Sequence, residues 1–377
     1  MATQCCSFEL HNELDGARAG HLDLTHGRVP TPAFMPVGTR AAVRCVSSSD
    51  LVDAGASMVL ANTYHLWVRP GHELIRDAGG LHRFMRWDGP ILTDSGGYQV
   101  FSMRDRLKVT EQGARIRSPE DGNYRMLTPE TAIEVQESLG VDVAMAFDEC
   151  LEWPADRPTT VDSTARTTRW LKRCLAARRH ADRTAVFGIV QGGMYEDLRR
   201  DHADELAQMD LDGYAVGGLS VGEGRSNLLQ MTAVATEQLP RTKVRYLMGV
   251  GHPIDIVEAV CRGIDLFDCV LPTRAGRHGQ AYTDEGRLNL RNARFKSSEE
   301  PIQAGCPCPT CSEGYSRGYL RHLQHVGEML GARLITLHNL HFYQRLMADL
   351  RAVIQGADSA QLQSLRERAA QASEMSR

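Results

Sequence analysis

Long hydrophobic runs are missing from this sequence. No stretch approaches the roughly 20 uncharged apolar residues that a membrane span needs, so no membrane partner is expected. The opening MATQCCSFELHNELDG lacks the basic and then apolar run of a secretory signal, which makes the cytoplasm the expected location. Lysine is nearly absent: of 43 basic residues only Lys108, Lys172, Lys243 and Lys296 are lysine. Arginine suits bidentate phosphate contacts, although a general bias toward arginine explains the same count. The net charge of -4 argues against indiscriminate nucleic-acid binding and leaves local basic patches open. There is no P-loop, no dinucleotide fingerprint, no internal repeat, and no low-complexity tract before the Ala/Gln/Ser/Glu-rich tail after Gly356.

What is present is a globular composition. With 377 residues, 42% of them hydrophobic, and 34 glycines, the chain is long enough for one large α/β domain or two average ones. Short apolar runs recur at 33–37, 57–61, 90–93, 141–147, 186–190, 214–216, 245–248 and 265–267, with helical patterns such as SSSDLVDAG and TPETAIEVQESLG between them. Buried strands alternating with helices suggest parallel βαβ units, and a count of eight points to a closed (β/α)₈ TIM barrel. The runner-up, an open doubly wound sheet, is also allowed by the same pattern. The turn-rich stretch 98–127 reads as a β-hairpin inserted after the third strand, and the first 30 residues as a hairpin capping one barrel end. The barrel is assigned to 1–279 and 346–377, with a small metal-bound subdomain at 280–345. The basic segment Arg166 to Arg183 is either an RNA-facing surface or an ordinary solvated helix face, the second being the plainer reading.

Ten cysteines in a reducing compartment are better read as thiols than as disulfides. Cys306, Cys308 and Cys311 form a knuckle that can wrap one thiophilic cation. His338, where a helix can return against the knuckle, is the best fourth ligand; His322, His325 and His341 are rivals. A closed Cys₃His shell marks structural zinc, one Zn²⁺ per chain, with no open position for a substrate water.

In a barrel, chemistry sits where strands end at the C-terminal face. Asp94 in TDSGGYQ, Asp148 in FDEC, Gln191 in IVQGG, the Gly217-Gly218 pair and Asp268 in LFDCVLPTR occupy such ends. One Asp after a strand is usually a turn former or helix cap. Three, with glycines that let a ligand approach the backbone, suggest a site. Two carboxylates flanking one bond can act as nucleophile and general acid/base, as in retaining glycosyl transfer.

These motifs, TDSGGYQVFS, FDEC, GIVQGG, GGLSVGE, YLMGVG, DLFDCVLPTR and the CxCxxC knuckle followed by TLHN, closely resemble those of the bacterial tRNA-guanine transglycosylases, the queuine tRNA-ribosyltransferases, over nearly the whole chain. The resemblance implies a (β/α)₈ barrel with a zinc subdomain that exchanges guanine at the wobble position of tRNAs with guanine-uracil anticodons for a 7-deazaguanine. It implies Asp268 as nucleophile and Asp94 as general acid/base, and a base pocket of Asp148, Gln191, Gly218 and Leu219 with Ser95. Tyr98 would stack on the flipped base. Cys150, Leu219 and Val221 would line the pocket near the 7-substituent. A β-branched Val221 cannot withdraw by a rotamer change. Where the eukaryotic relatives carry Gly and take the bulky queuine, this chain should admit the small base 7-aminomethyl-7-deazaguanine.

By the same resemblance, RNA would be met by Gly249, Val250, Gly251, His252, Pro253, Ile254 and Asp255, and by Thr273, Arg274, Ala275, Gly276 and Arg277. Here the chain departs from the family pattern. PTRAGRHG stands for the commoner PTRNARHG, and Ile254 replaces the usual acidic residue. The segment Tyr315 to His322 resembles the family's homodimer helix, although its aromatics also suit a subdomain core. A rival function is the non-catalytic RNA-binding subunit of a related heterodimeric transglycosylase; the presence of both Asp94 and Asp268 argues against it. A metal-dependent barrel hydrolase would need an open His and carboxylate site, whereas the clustered ligands are thiols outside the barrel.

Overall fold

Eight short parallel strands close into a barrel in the computed structural model, which describes residues 5–97, 107–117 and 122–376. In chain order they are Ala33–Gly38, Val59–Ala61, Ile91–Thr93, Val143–Met145, Ala185–Val190, Gly213–Val216, Val244–Leu247 and Leu266–Cys269. The last closes on the first, pairing Leu266 with Ala33 and Asp268 with Met35. All eight coincide with the apolar runs of the sequence, because a strand buried on both faces carries no polar alternation. Met35, Leu60, Leu92, Met145, Phe187 and Tyr246 fill the barrel interior. Their neighbours Phe34, Val59, Ile91, Val186, Val216 and Phe267 pack outward under the helices.

The N-terminal cap has three antiparallel strands, Cys6–Leu14, Ala17–Leu24 and Gly27–Thr31, one more than the expected hairpin. It closes the N-terminal barrel end: Leu22 and Val29 join the interior cluster. Buried Asp142, just before its barrel strand, accepts from the His26 backbone N–H at 2.9 Å, His26 Nδ1 at 2.9 Å, His82 Nε2 at 3.1 Å and the Ile91 N–H at 2.8 Å. Burial opposes ionisation, but the His26 and His82 rings and the Ile91 N–H hold its carboxyl down at about 2. The insertion after the third strand is likewise a three-stranded sheet, Leu107–Thr110, Gly113–Arg117 and Tyr124–Leu127; the part of the expected hairpin at 98–106 lies outside the described residues.

Helix Pro129–Leu139 shows how the helices fix the strand ends. Thr128 caps it, Pro129 opens it, and Gly140 at φ 71° ends it in the left-handed region. From its buried face the Gln136 amide accepts from Thr93 Oγ1 and Met145 N–H, both at 2.9 Å, and donates to Met145 O at 3.0 Å. It thereby clamps together the two strand ends from which Asp94 and Asp148 emerge. The basic segment lies on helix Arg157–Ala177 up to residue 177 and in the turn after it, and its helical arginines pair with acids. Arg166 bonds Glu149, Arg169 bonds Glu111 at 2.8 Å, and Arg173 bonds Glu130 at 2.7 Å, which favours the plainer reading of that surface.

The small subdomain has its own core of Leu288, Leu290, Phe295, Ile302, Leu320, Leu323 and the knuckle cysteines. It shares one element with the barrel, since helix Met329–Gly356 runs through both. Gly276 packs on that helix; a Cβ there would meet the Thr336 backbone at 2.8 Å.

Candidate active site and metal centre

Asp94, Asp148 and Asp268 meet at one cavity of about 380 Å³ at the C-terminal face, also lined by Ser95, Cys150, Gly218, Leu219, Val221 and Gly249. The Asp94 carboxylate accepts from Asn62 Nδ2 and, at 3.0 Å, from the Thr63 N–H. Asn62 also caps the following helix, its Oδ1 accepting from the His65 N–H at 2.9 Å, so an amide is needed where a plain cap would take Ser or Asp. Asp268 Oδ1 accepts from Tyr246 Oη at 2.5 Å and the Gly249 N–H at 2.7 Å, which leaves Oδ2 for other chemistry. Burial raises the Asp268 carboxyl above its ordinary range, and these two donors only partly offset that.

Asp148 sits on the opposite wall. Its Oδ1 accepts from Ser95 Oγ and its Oδ2 from Gln191 Nε2, each at 2.8 Å. Desolvation outweighs both bonds and pushes its carboxyl up to about 6. Gln191 lies beside Gly217 and Gly218, next to the Asp148 wall of the cavity. Ser220 has a left-handed backbone, φ 62°, and Glu223 holds that turn by accepting from the Ser220 and Val221 N–H groups at 2.5 and 2.8 Å. Tyr98 lies outside the described residues.

The expected RNA-facing residues divide by burial. His252 and Arg274 are exposed, and Ile254, Asp255 and Arg277 half-buried, whereas Val250, Gly251, Pro253, Thr273, Ala275 and Gly276 are buried. Asp255 is paired with Arg225 at 2.7 Å, and Gly251 O accepts from Tyr343 Oη. Burial and the neighbouring charges of Arg44 and Arg274 lower the Arg277 guanidinium, and its Nη1 has no partner among the described residues. Exposed Arg44 completes a three-arginine cluster that its sequence position did not reveal.

The knuckle is built as a ligand shell. His338 Nδ1 lies 3.4 Å from Cys308 Sγ, 3.4 Å from Cys311 Sγ and 3.7 Å from Cys306 Sγ. Tetrahedral zinc with ordinary Zn–S and Zn–N lengths sets that separation at about 3.6 Å. His338 Nε2 donates to Tyr282 O at 2.7 Å, which fixes Nδ1 as the ligating nitrogen. All four residues are buried. His322 and His325 are exposed, and His341 is outside the cluster. The group could hold a metal ion, and its donor set suits zinc.

Comparison with known proteins decides the family. The model of the queuine tRNA-ribosyltransferase family matches residues 14–373. The chain belongs to this family. Relatives named queuine tRNA-ribosyltransferase include those of Pelotomaculum thermopropionicum, 52% identical over 343 residues (91% of this chain, 92% of the relative), and Thiobacillus denitrificans, 53% over 348 residues (92% and 94%). That of Nitrosomonas eutropha is 52% identical over 355 residues (94% and 98%). The chain is therefore an enzyme, a ribosyltransferase of tRNA processing built on a TIM barrel. Among the described residues no helix is long and apolar enough to cross a membrane.

Asn62, Tyr246, Glu223 and Arg44 were not singled out from sequence. Asn62 offered a signal, an N-cap residue directly after an apolar strand; Glu223 acts on the turn just before it, and Tyr246 and Arg44 act through neighbours distant in the chain.

Proposed function

We propose that the enzyme exchanges guanine at the wobble position of tRNAs with guanine-uracil anticodons for 7-aminomethyl-7-deazaguanine, by double displacement. The observation that carries this is the convergence of Asp94, Asp148 and Asp268 on one cavity. Asp268 Oδ2 attacks the ribose C1′, the glycosidic bond breaks, and the base leaves with the bonding electrons while Asp94 supplies its proton. Asp94 then takes the ring proton of the incoming base, whose nitrogen attacks C1′ and releases the Asp268 carboxylate. Two inversions restore the β-nucleoside.

Asp148 accepts from the ring N–H and exocyclic amine of the base, and Gln191, Gly218 and Leu219 serve its oxo edge, with Ser95 holding Asp148 in place and Tyr98 stacking on the ring. Cys150, Leu219 and Val221 bound the space for the 7-substituent. His252, Ile254, Arg274 and Arg277 meet the RNA, supported by the backbone of 249–255 and 273–277. Cys306, Cys308, Cys311 and His338 hold one structural zinc. A homodimer, in the cytoplasm, is the working form; exposed Tyr319 and Val326 on helix Arg317–Val326 and Met329 at the start of the next helix, the last 85% exposed, support a partner surface there.

Incubation with radiolabelled guanine and unmodified tRNA tests this reading. Label should enter only tRNAs whose anticodon begins guanine-uracil; no incorporation under reducing, zinc-replete conditions refutes it.

A further inference from the structure

Helix Glu196–Ala207 lies behind the cavity and contributes two wholly buried polar residues that the chemistry above does not use. Arg199 is fully buried, and its guanidinium is bonded to backbone carbonyls. Nε and Nη2 donate to Gly193 O at 3.2 and 2.8 Å, and Nη1 donates to Gly217 O at 3.1 Å. Desolvation lowers it to about 10, so it remains a cation at neutral pH. One turn on, His202 Nδ1 accepts the Gln191 N–H at 2.9 Å. Burial lowers this imidazole to about 4, which keeps it neutral and able to accept. The two residues thus grip the loops 190–193 and 216–218 from below.

The Gly217 carbonyl and the Gly218 N–H are the two ends of one peptide group. Gly218 has φ 65°, and a Cβ there would fall 2.3 Å from Gln191 Oε1, so glycine alone fits. Gly218 lines the cavity, and its N–H has no acceptor among the described residues. A cation drawing electron density from the carbonyl makes that N–H a stronger donor, and a donor fixed in advance at a desolvated site favours charge that develops during reaction. We propose that Arg199 is a positioning residue that orients and polarises the Gly217-Gly218 peptide, so that the Gly218 N–H binds the oxo group of a 6-oxopurine base. This rests on the base-pocket reading given above.

The test uses the full-length enzyme, wild type and Arg199→Met, with Arg199→Lys as a variant that keeps the charge but loses the fork. Guanine affinity is compared with that of 2-aminopurine, which keeps the exocyclic amine but lacks the oxo group and with it the N1 proton, each base being compared between wild type and variant, alongside the KM for tRNA. Arg199→Met should weaken guanine about tenfold or more. It should change 2-aminopurine less than about threefold and leave the tRNA KM unaltered. Arg199→Lys should show the same selectivity with a smaller loss, and it decides the matter if Arg199→Met does not fold. Equal losses for both bases reduce Arg199 to a scaffold, and an unchanged guanine affinity removes the inference. Failure of the wild type to exchange guanine at all overturns the base-pocket reading instead.

Discussion

The buried Asp148 carboxyl makes base binding a proton-linked event whose size can be worked out. Folding raises it from 3.8 to about 6 through desolvation, with no bonded cation to offset the burial. The folded state therefore holds the proton more tightly than the unfolded chain. Its stability falls as pH rises from about 4 to about 6, and the ionised carboxylate costs about 3 kcal/mol above that window. A base that donates two N–H groups to Asp148 binds the ionised form and relieves that cost. Guanine should then bind about tenfold more weakly at pH 5 than at pH 8. Binding should release about 0.8 proton at pH 5.5 and almost none at pH 7.5. Calorimetry in two buffers of different ionisation enthalpy reads this directly. Asp148→Asn should abolish both guanine binding and proton release, while raising stability at pH 7.5 by up to about 3 kcal/mol with no gain at pH 4. Absence of proton uptake or release at pH 5.5, or binding that survives in Asp148→Asn with its pH dependence intact, refutes the reasoning.

Three further expectations concern other parts of the molecule. Metal analysis should find about one zinc per chain, and Cys308→Ser should lose it together with the fold of the subdomain; a fully active zinc-free enzyme contradicts this. Arg274→Ala and Arg277→Ala should each weaken tRNA binding and flatten its logarithmic salt dependence by roughly 0.7, and a change in base affinity alone would move the RNA contact elsewhere. Val221, together with Gly218, lines both the base cavity and a second cavity of about 230 Å³ that Trp153, Met194 and Tyr195 help to line. Val221→Gly should join the two and confer use of queuine, and equal incorporation of both bases by the wild type would show that Val221 is no gate.

The barrel was legible because its strands are buried on both faces and interrupt the helical periodicity as plain apolar runs. The third strands of the two small sheets were not: Gly27–Thr31 contains Pro30, and Tyr124–Leu127 is largely exposed, so neither has an apolar signature. The carboxylates stood out as Asp residues directly after strands, and the thiols by their spacing. Their supports did not, because Gln136, Tyr246 and Arg199 are single polar residues inside regular elements whose partners lie on other strands and loops. Gly276 shows the converse. Placed by resemblance in an RNA-facing loop, it is occupied by close packing against Thr336.

The most direct measurement of the central claim is the site of the covalent bond to RNA. Enzyme incubated with tRNA and no free base, then denatured, should carry an RNA adduct whose peptide maps to Asp268; Asp268→Asn should form none, and Asp94→Asn should be impaired while Asp268 remains the attachment point. An adduct mapped to Asp94, or one that persists in Asp268→Asn, would contradict the account.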